Sequence, residues 1–226
     1  MADGTIPTIA SNDRVVGTYD RIATLYDWFV ADLEAPTRAQ AIWTLGPRSG
    51  ERILDVGCGG GHALVEIADD VGPDGTAHGL DASPGMLDRA RDRLDATGAT
   101  DGATLALGDA RALPYTDDRF DAVYLGETLE LFGECEMATV LEEVRRVLRP
   151  DGRLVVASMD RAGWENSAFV RTYEWVYRHV PGYATVGCRP IYVADAVADA
   201  DFEVEYSEQI VRAGLWPIAI VRGRPR

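Results

Sequence analysis

Four residues at regular spacing, Asp55, Gly57, Gly59 and Gly61, carry the clearest chemistry in the sequence. They stand in the run Ile53-Leu54-Asp55-Val56-Gly57-Cys58-Gly59-Gly60-Gly61, where apolar residues lead into an acid and alternating glycines. Such a run describes a buried strand entering a nucleotide-binding turn, because glycine accepts positive φ and puts no Cβ between the main chain and a ligand. A bulky adenosine-containing molecule can then lie against the backbone. The dinucleotide fingerprint G-x-G-x-x-G needs a third glycine where this chain has His62. The acid suits an ammonium-bearing ligand instead and would repel a pyrophosphate. A Walker loop requires a lysine on the phosphates, and every one of the 22 basic residues is arginine.

The elements that must position this turn alternate regularly from residue 51 onward. Strands are expected over Ile53–Val56, Thr76–Leu80, Thr104–Leu107, Asp121–Leu125 and Leu154–Ser158. Helices are expected from Ala63, over Pro84–Leu94 behind Ser83 as N-cap, and over Met137–Leu148, which Pro150-Asp151-Gly152 stops. Phe202–Val211 and Leu215–Arg222 read as a closing antiparallel hairpin. The pattern predicts an α/β fold with a doubly wound, mostly parallel seven-stranded sheet, which binds ligands outside the carboxyl ends of its strands. Residues 1–50 read as an N-terminal helical cover, 51–160 as the cofactor-binding core, 161–192 as an aromatic-rich cover, and 193–226 as a closing helix and strands of the same domain.

Two further acids end strands. Asp81 stands 20 residues after Gly61, where doubly wound folds place an acid on the ribose hydroxyls. Asp109 follows the third strand, where an acceptor could take an adenine amine. A helix cap and a turn aspartate are the ordinary alternatives for the two.

With these residues in order, the chain resembles the class I S-adenosylmethionine-dependent methyltransferases. Ile53–Gly61 looks like their first motif, Gly79-Leu80-Asp81 like their ribose acid, and Gly108-Asp109-Ala110 like their adenine contact. Phe120-Asp121-Ala122-Val123 and Val147–Gly152 are similar to later signatures of the family. Tyr19–Ala23 and Leu25-Tyr26-Asp27 resemble the N-terminal segment of the ubiquinone/menaquinone-biosynthesis C-methyltransferase group. The resemblance implies S-adenosylmethionine as cofactor, held by Tyr19, Asp55, Gly57, Gly59, Gly61, Asp81, Ala82, Met86, Asp109, Ala110 and Gly126. It also implies methyl transfer to a small, apolar or aromatic acceptor such as a quinone precursor. Tyr19 and Tyr26 fit a lid over the cofactor and a plain helical stripe equally well. Leu125–Phe132 departs from the quinone enzymes and leaves the acceptor open. A nicotinamide-dependent oxidoreductase and a non-catalytic S-adenosylmethionine-binding regulator remain as alternatives.

Composition narrows the partners. With 37 acidic against 22 basic residues the net charge is −15, which argues against nucleic acid and anionic membrane surfaces. Absent lysine and abundant aspartate suggest a halophilic protein, soluble in concentrated salt, with a GC-rich genome as the alternative source of the arginine bias. The sequence predicts no membrane span, no signal peptide, no disulfide among Cys58, Cys135 and Cys188, and hence a cytoplasmic protein. No metal-ligand spacing is present. Oligomeric state is not encoded legibly.

Glu127, after the fourth strand, and His179, in the second cover, are candidate bases; His62 and His78 read as a backbone contact and a structural residue. Phe169, Tyr173, Val176 and Val180 recur at helical spacing and suit core packing or the wall of an apolar pocket.

Overall fold

The computed structural model describes residues 5, 7–8, 11–29, 31–180, 182–186, 188–212 and 214–226, with backbone alone for 12, 22–29, 31–32 and 186. The side chain of Tyr26 lies outside that set. Strands β1 (Arg52–Val56), β2 (Thr76–Asp81), β3 (Ala103–Leu107), β4 (Phe120–Gly126) and β5 (Leu148–Met159) are parallel to one another. The closing hairpin is β6 (Phe202–Arg212) and β7 (Trp216–Pro225). The order β3-β2-β1-β4-β5-β7-β6 puts β7, antiparallel, between β5 and β6. The expected seven-stranded sheet is therefore present.

Alternation along each strand sorts side chains to two cores. Ile53 packs with Leu64 and Ile67 of α3 (His62–Val71) and with Ile42 and Leu45 of α2 (Ala31–Leu45). Leu54 and Val56 point the other way, toward Val140, Leu141 and Val144 of α5 (Glu134–Val147). Each such burial is worth about 1.5–3 kcal/mol, so a register slip would forfeit both faces at once. α4 (Pro84–Thr97) starts as its sequence predicts, with Ser83 Oγ accepting from Met86 N at 3.2 Å.

Three expectations need correction. α5 begins at Glu134, three residues before Met137, because Glu136 Oε2 accepts from Gly133 N at 3.1 Å and two acids occupy the first turn. It ends at Val147, and Pro150-Asp151-Gly152 lies within β5, where an irregular register opposite Phe120 and Ala122 tolerates a residue without an N–H. In α6 (Ala168–His179) the buried face is Val170, Tyr173, Glu174 and Tyr177, one residue round from the expected stripe, and Val180 is exposed. Glu174 can turn inward because Arg161 pairs with it.

α1 (Asn12–Phe29) packs on α4 and on the short turn Tyr183–Val186, while α2 lies against β5 and α3. The end of α2 is fixed by Arg153 on β5, only 7% exposed. Its guanidinium holds both oxygens of Glu51, at 2.8 and 2.7 Å, and the carbonyls of Leu45 and Gly46.

Candidate active site

The sheet order reverses between β1 and β4, and the carboxyl ends of β1, β2 and β4 open there into one cleft. α1 contributes Tyr19 to its wall, and α2 contributes Glu34, Thr37 and Arg38. α1 is tied down by Asp20, whose Oδ1 accepts from Gly85 N at 2.8 Å and Ser83 Oγ at 3.2 Å.

The glycine turn is built by steric exclusion on one side and left open on the other. Gly57 has φ +72, and a Cβ there would run into the Thr128 side chain. Gly59 has φ +50, yet a Cβ there would meet no protein atom within 4 Å. Asp81 fixes the turn, with Oδ2 accepting from Gly59 N at 2.9 Å and Oδ1 from Ser83 N at 2.8 Å. Gly61 does not line the cleft; it starts α3 at φ +81, close against Ala90 of α4.

Asp55 reaches the same cleft from β1 and is 2% exposed, with Oδ2 making no hydrogen bond. Burial, with the Asp81 charge beside it and only Arg38 opposing, pushes its carboxyl up to about 8. Burial also raises Asp81, against the pull of its backbone N–H partners. Ala82 and Met86 line the β2 side, Asp109 and Ala110 the β3 side, and Gly126 the end of β4. The Asp109 carboxylate is gripped by Arg111, with Nη2 to Oδ2 at 2.6 Å, which holds it below its ordinary value. Gly126 has a steric reason of its own, since a Cβ would sit 2.5 Å from Tyr124 Oη.

Of the two candidate bases, one is in the cleft. Glu127 lines it at φ +50, an uncommon backbone for a non-glycine residue. Its Oε1 pairs with Arg212 Nη2, and Arg212 Nε donates to Thr37 Oγ1 at 3.3 Å. His179 is elsewhere, exposed, stacked on Trp175 with Nδ1 at 2.8 Å from the Trp175 carbonyl. His78 is packed against Phe120, and burial lowers it to about 4. Sequence reasoning missed Arg38 and Thr128, which line the cleft, and Arg212, which reaches its wall through Glu127 and Thr37; these come from distant parts of the chain and carry no local signal.

A buried, unpartnered carboxylate oxygen, a second acid clamping the turn and an open Gly59 face fit a ligand with a cationic amino-acid end and an adenosine body. A family model for the methyltransferase domain matches residues 47–185. The chain belongs to the S-adenosylmethionine-dependent methyltransferases. This methyltransferase is 31% identical over 192 residues to the 2-phytyl-1,4-naphtoquinone methyltransferase of Synechococcus elongatus, covering 82% of this chain and 80% of that one. It is 38% identical over 130 residues to the demethylmenaquinone methyltransferase of Symbiobacterium thermophilum, over 58% of this chain and half of that one. Among solved structures, a methyltransferase bound to the Trm112 activator from Haloferax volcanii superposes with TM-score 0.74 at 22% identity, over 92% and 98% of the two chains. The [4+2]-cyclase SpnF superposes with TM-score 0.75 at 18% identity over 98% of each chain. Likeness at these identities establishes the fold alone. The nicotinamide oxidoreductase and regulator readings are replaced by that of a methyltransferase that uses S-adenosylmethionine.

Proposed function

We propose that this methyltransferase acts on a reduced quinone precursor, a hydroxyl-bearing aromatic ring of the naphthoquinol class. The 31% identity over most of both chains to a naphthoquinone methyltransferase carries the proposal. The bound cofactor supplies an electrophilic methyl group on a sulfonium, so the protein's main task is alignment, which can supply about 7–11 kcal/mol of the barrier. Asp55 accepts from the amino-acid ammonium, giving Oδ2 the partner it lacks. Asp81 holds the ribose hydroxyls, and Gly57 and Gly59 let the main chain approach. Ala82, Met86 and Ala110 flank the adenine, and Asp109 accepts from its amine with lone pairs that Arg111 leaves over. Gly61 serves by packing α3. Tyr19 closes the cleft from α1, and Gly126 and Glu127 border the acceptor's end.

Among the described residues no helix is long and apolar enough to cross a membrane. Three free cysteines support a cytoplasmic location, and the net charge of −15 supports a protein adapted to concentrated salt. Small-molecule turnover is the test. S-adenosylmethionine carrying a labelled methyl group is incubated with the protein and a reduced demethylnaphthoquinone, a simple phenol or an amine. Label in the quinol alone supports the proposal; label in the amine alone refutes it.

A further inference from the structure

The cofactor's amino-acid end carries an ammonium and a carboxylate on one carbon, and the residues assigned so far answer only the ammonium. With the ammonium at Asp55, the carboxylate must fall close to the same side chain. The glycine turn has already spent its first three N–H groups. Gly57 N and Cys58 N both donate to the Leu80 carbonyl, at 2.7 and 3.0 Å, and Gly59 N donates to Asp81 at 2.9 Å. The cleft lining carries five carboxyls, those of Glu34, Asp55, Asp81, Asp109 and Glu127, against the single guanidinium of Arg38. An anion entering such a site needs donors and positive charge at a defined place.

Two lining side chains that the cofactor assignment leaves unused supply them. Tyr124 on β4 stands opposite Asp55 in the parallel register of β1 and β4, and it is 4% exposed. Its hydroxyl reaches the end of β4, where Gly126 has no side chain and a Cβ would sit 2.5 Å from Oη. The chain thus gives up a side chain at position 126 to seat a phenol. Burial first, and then the Asp55 charge, push Tyr124 well up, so the hydroxyl keeps its proton and can donate it. Arg38 reaches the cleft from α2, and Glu66 on α3 accepts from its Nε at 2.9 Å. The Arg38 charge bears on both Asp55 and Tyr124. Its planar fork of N–H donors matches the two oxygens of a carboxylate.

We propose that Arg38 and Tyr124 together hold the carboxylate of the cofactor's amino-acid end, Arg38 as the charged fork and Tyr124 as a single donor. This rests on the assignment of the ammonium to Asp55. Each end of the zwitterion then meets its opposite, the ammonium at Asp55 and the carboxylate at Arg38. The bound carboxylate also ties α2 to the end of β4. Adenosyl thioethers without an amino-acid end share the ribose and adenine contacts and gain nothing from this pair, so it makes the cleft selective for the complete cofactor.

The test is calorimetric binding of three ligands that share the adenosyl thioether. They are S-adenosylhomocysteine, its decarboxylated analogue, which keeps the ammonium, and methylthioadenosine, which has neither group. The wild type should bind S-adenosylhomocysteine about 10- to 100-fold more tightly than the decarboxylated analogue, the range of hydrogen bonds to charged groups. Arg38→Met should erase most of that ratio, and Arg38→Lys should restore part of it. Tyr124→Phe should cut the ratio several-fold and change the affinity for the decarboxylated analogue far less. A role of these residues in shaping the cleft alone would weaken all three ligands alike; the kept ratio would overturn the proposal and leave the carboxylate to the first turn of α3. An Arg38→Met protein that fails to fold hands the decision to Tyr124→Phe, where an unmoved ratio overturns the proposal. A wild type that binds S-adenosylhomocysteine no better than its decarboxylated analogue overturns the proposal alone. A wild type that binds the decarboxylated analogue no better than methylthioadenosine overturns the Asp55 assignment, and the proposal with it.

Discussion

Asp81 Oδ2 accepts a hydrogen bond from Gly59 N at 2.9 Å, joining the end of β2 to the turn that leaves β1. The same carboxylate takes Ser83 N through Oδ1, so one side chain sets both the turn and the start of α4. Asp81→Ala removes these bonds together with the proposed ribose contact. Hydrogen bonds to charged groups are worth about 1.5–3 kcal/mol, so S-adenosylmethionine binding should weaken about 10- to 100-fold by calorimetry. An unchanged affinity would place the ribose elsewhere.

Asp55 gives a prediction with a sign. Burial holds its folded value at about 8 against an ordinary 3.8. The folded protein therefore keeps a proton that the unfolded chain sheds between those values, and this group makes stability fall as pH rises across that window. Asp55→Asn should raise the melting temperature of the cofactor-free protein at pH 8, flatten its fall with pH, and abolish the shift caused by S-adenosylmethionine.

Gly57 should tolerate no side chain. Gly57→Ala combines a left-handed φ of +72 with a collision on Thr128, and the backbone cost alone is about 1–2 kcal/mol. The double substitution with Thr128→Ala should recover the steric part of the loss in stability and leave the backbone part. Full recovery would mean that φ at this position imposes nothing.

Arg153 supports the cleft from a distance. Arg153→Met keeps the volume but leaves Glu51, 14% exposed at the side chain, without its cation and frees the end of α2. Breaking a buried pair in this way costs about 3–5 kcal/mol, readable as a lower denaturant midpoint. Cofactor affinity should fall with it, because Thr37 and Arg38 ride on the same helix.

The turn and the strand-end acids were legible because their placement is local. A run of apolar residues ending in Asp55 and glycines fixes strand, turn and the open face at Gly59 within nine residues, and Asp81 and Asp109 follow from where β2 and β3 stop. Arg212 is 85 residues from Glu127, and the pair depends on β7 bringing β6 alongside the sheet, so no spacing could announce it. The α6 face was misjudged because a buried Glu174 breaks the apolar period, and only its Arg161 partner, from outside the helix, makes that burial tolerable.

The most direct measurement is calorimetric titration of the protein with S-adenosylmethionine, S-adenosylhomocysteine and NADH in multimolar KCl, with thermal unfolding in parallel. Both methionine-derived ligands should bind at one site, and at about a hundred times the dissociation constant each should add about 2.7 kcal/mol of stability, which Asp55→Asn and Asp81→Ala should remove. Binding of NADH alone, or methionine-derived binding that survives both substitutions, would contradict the assignment of the cleft.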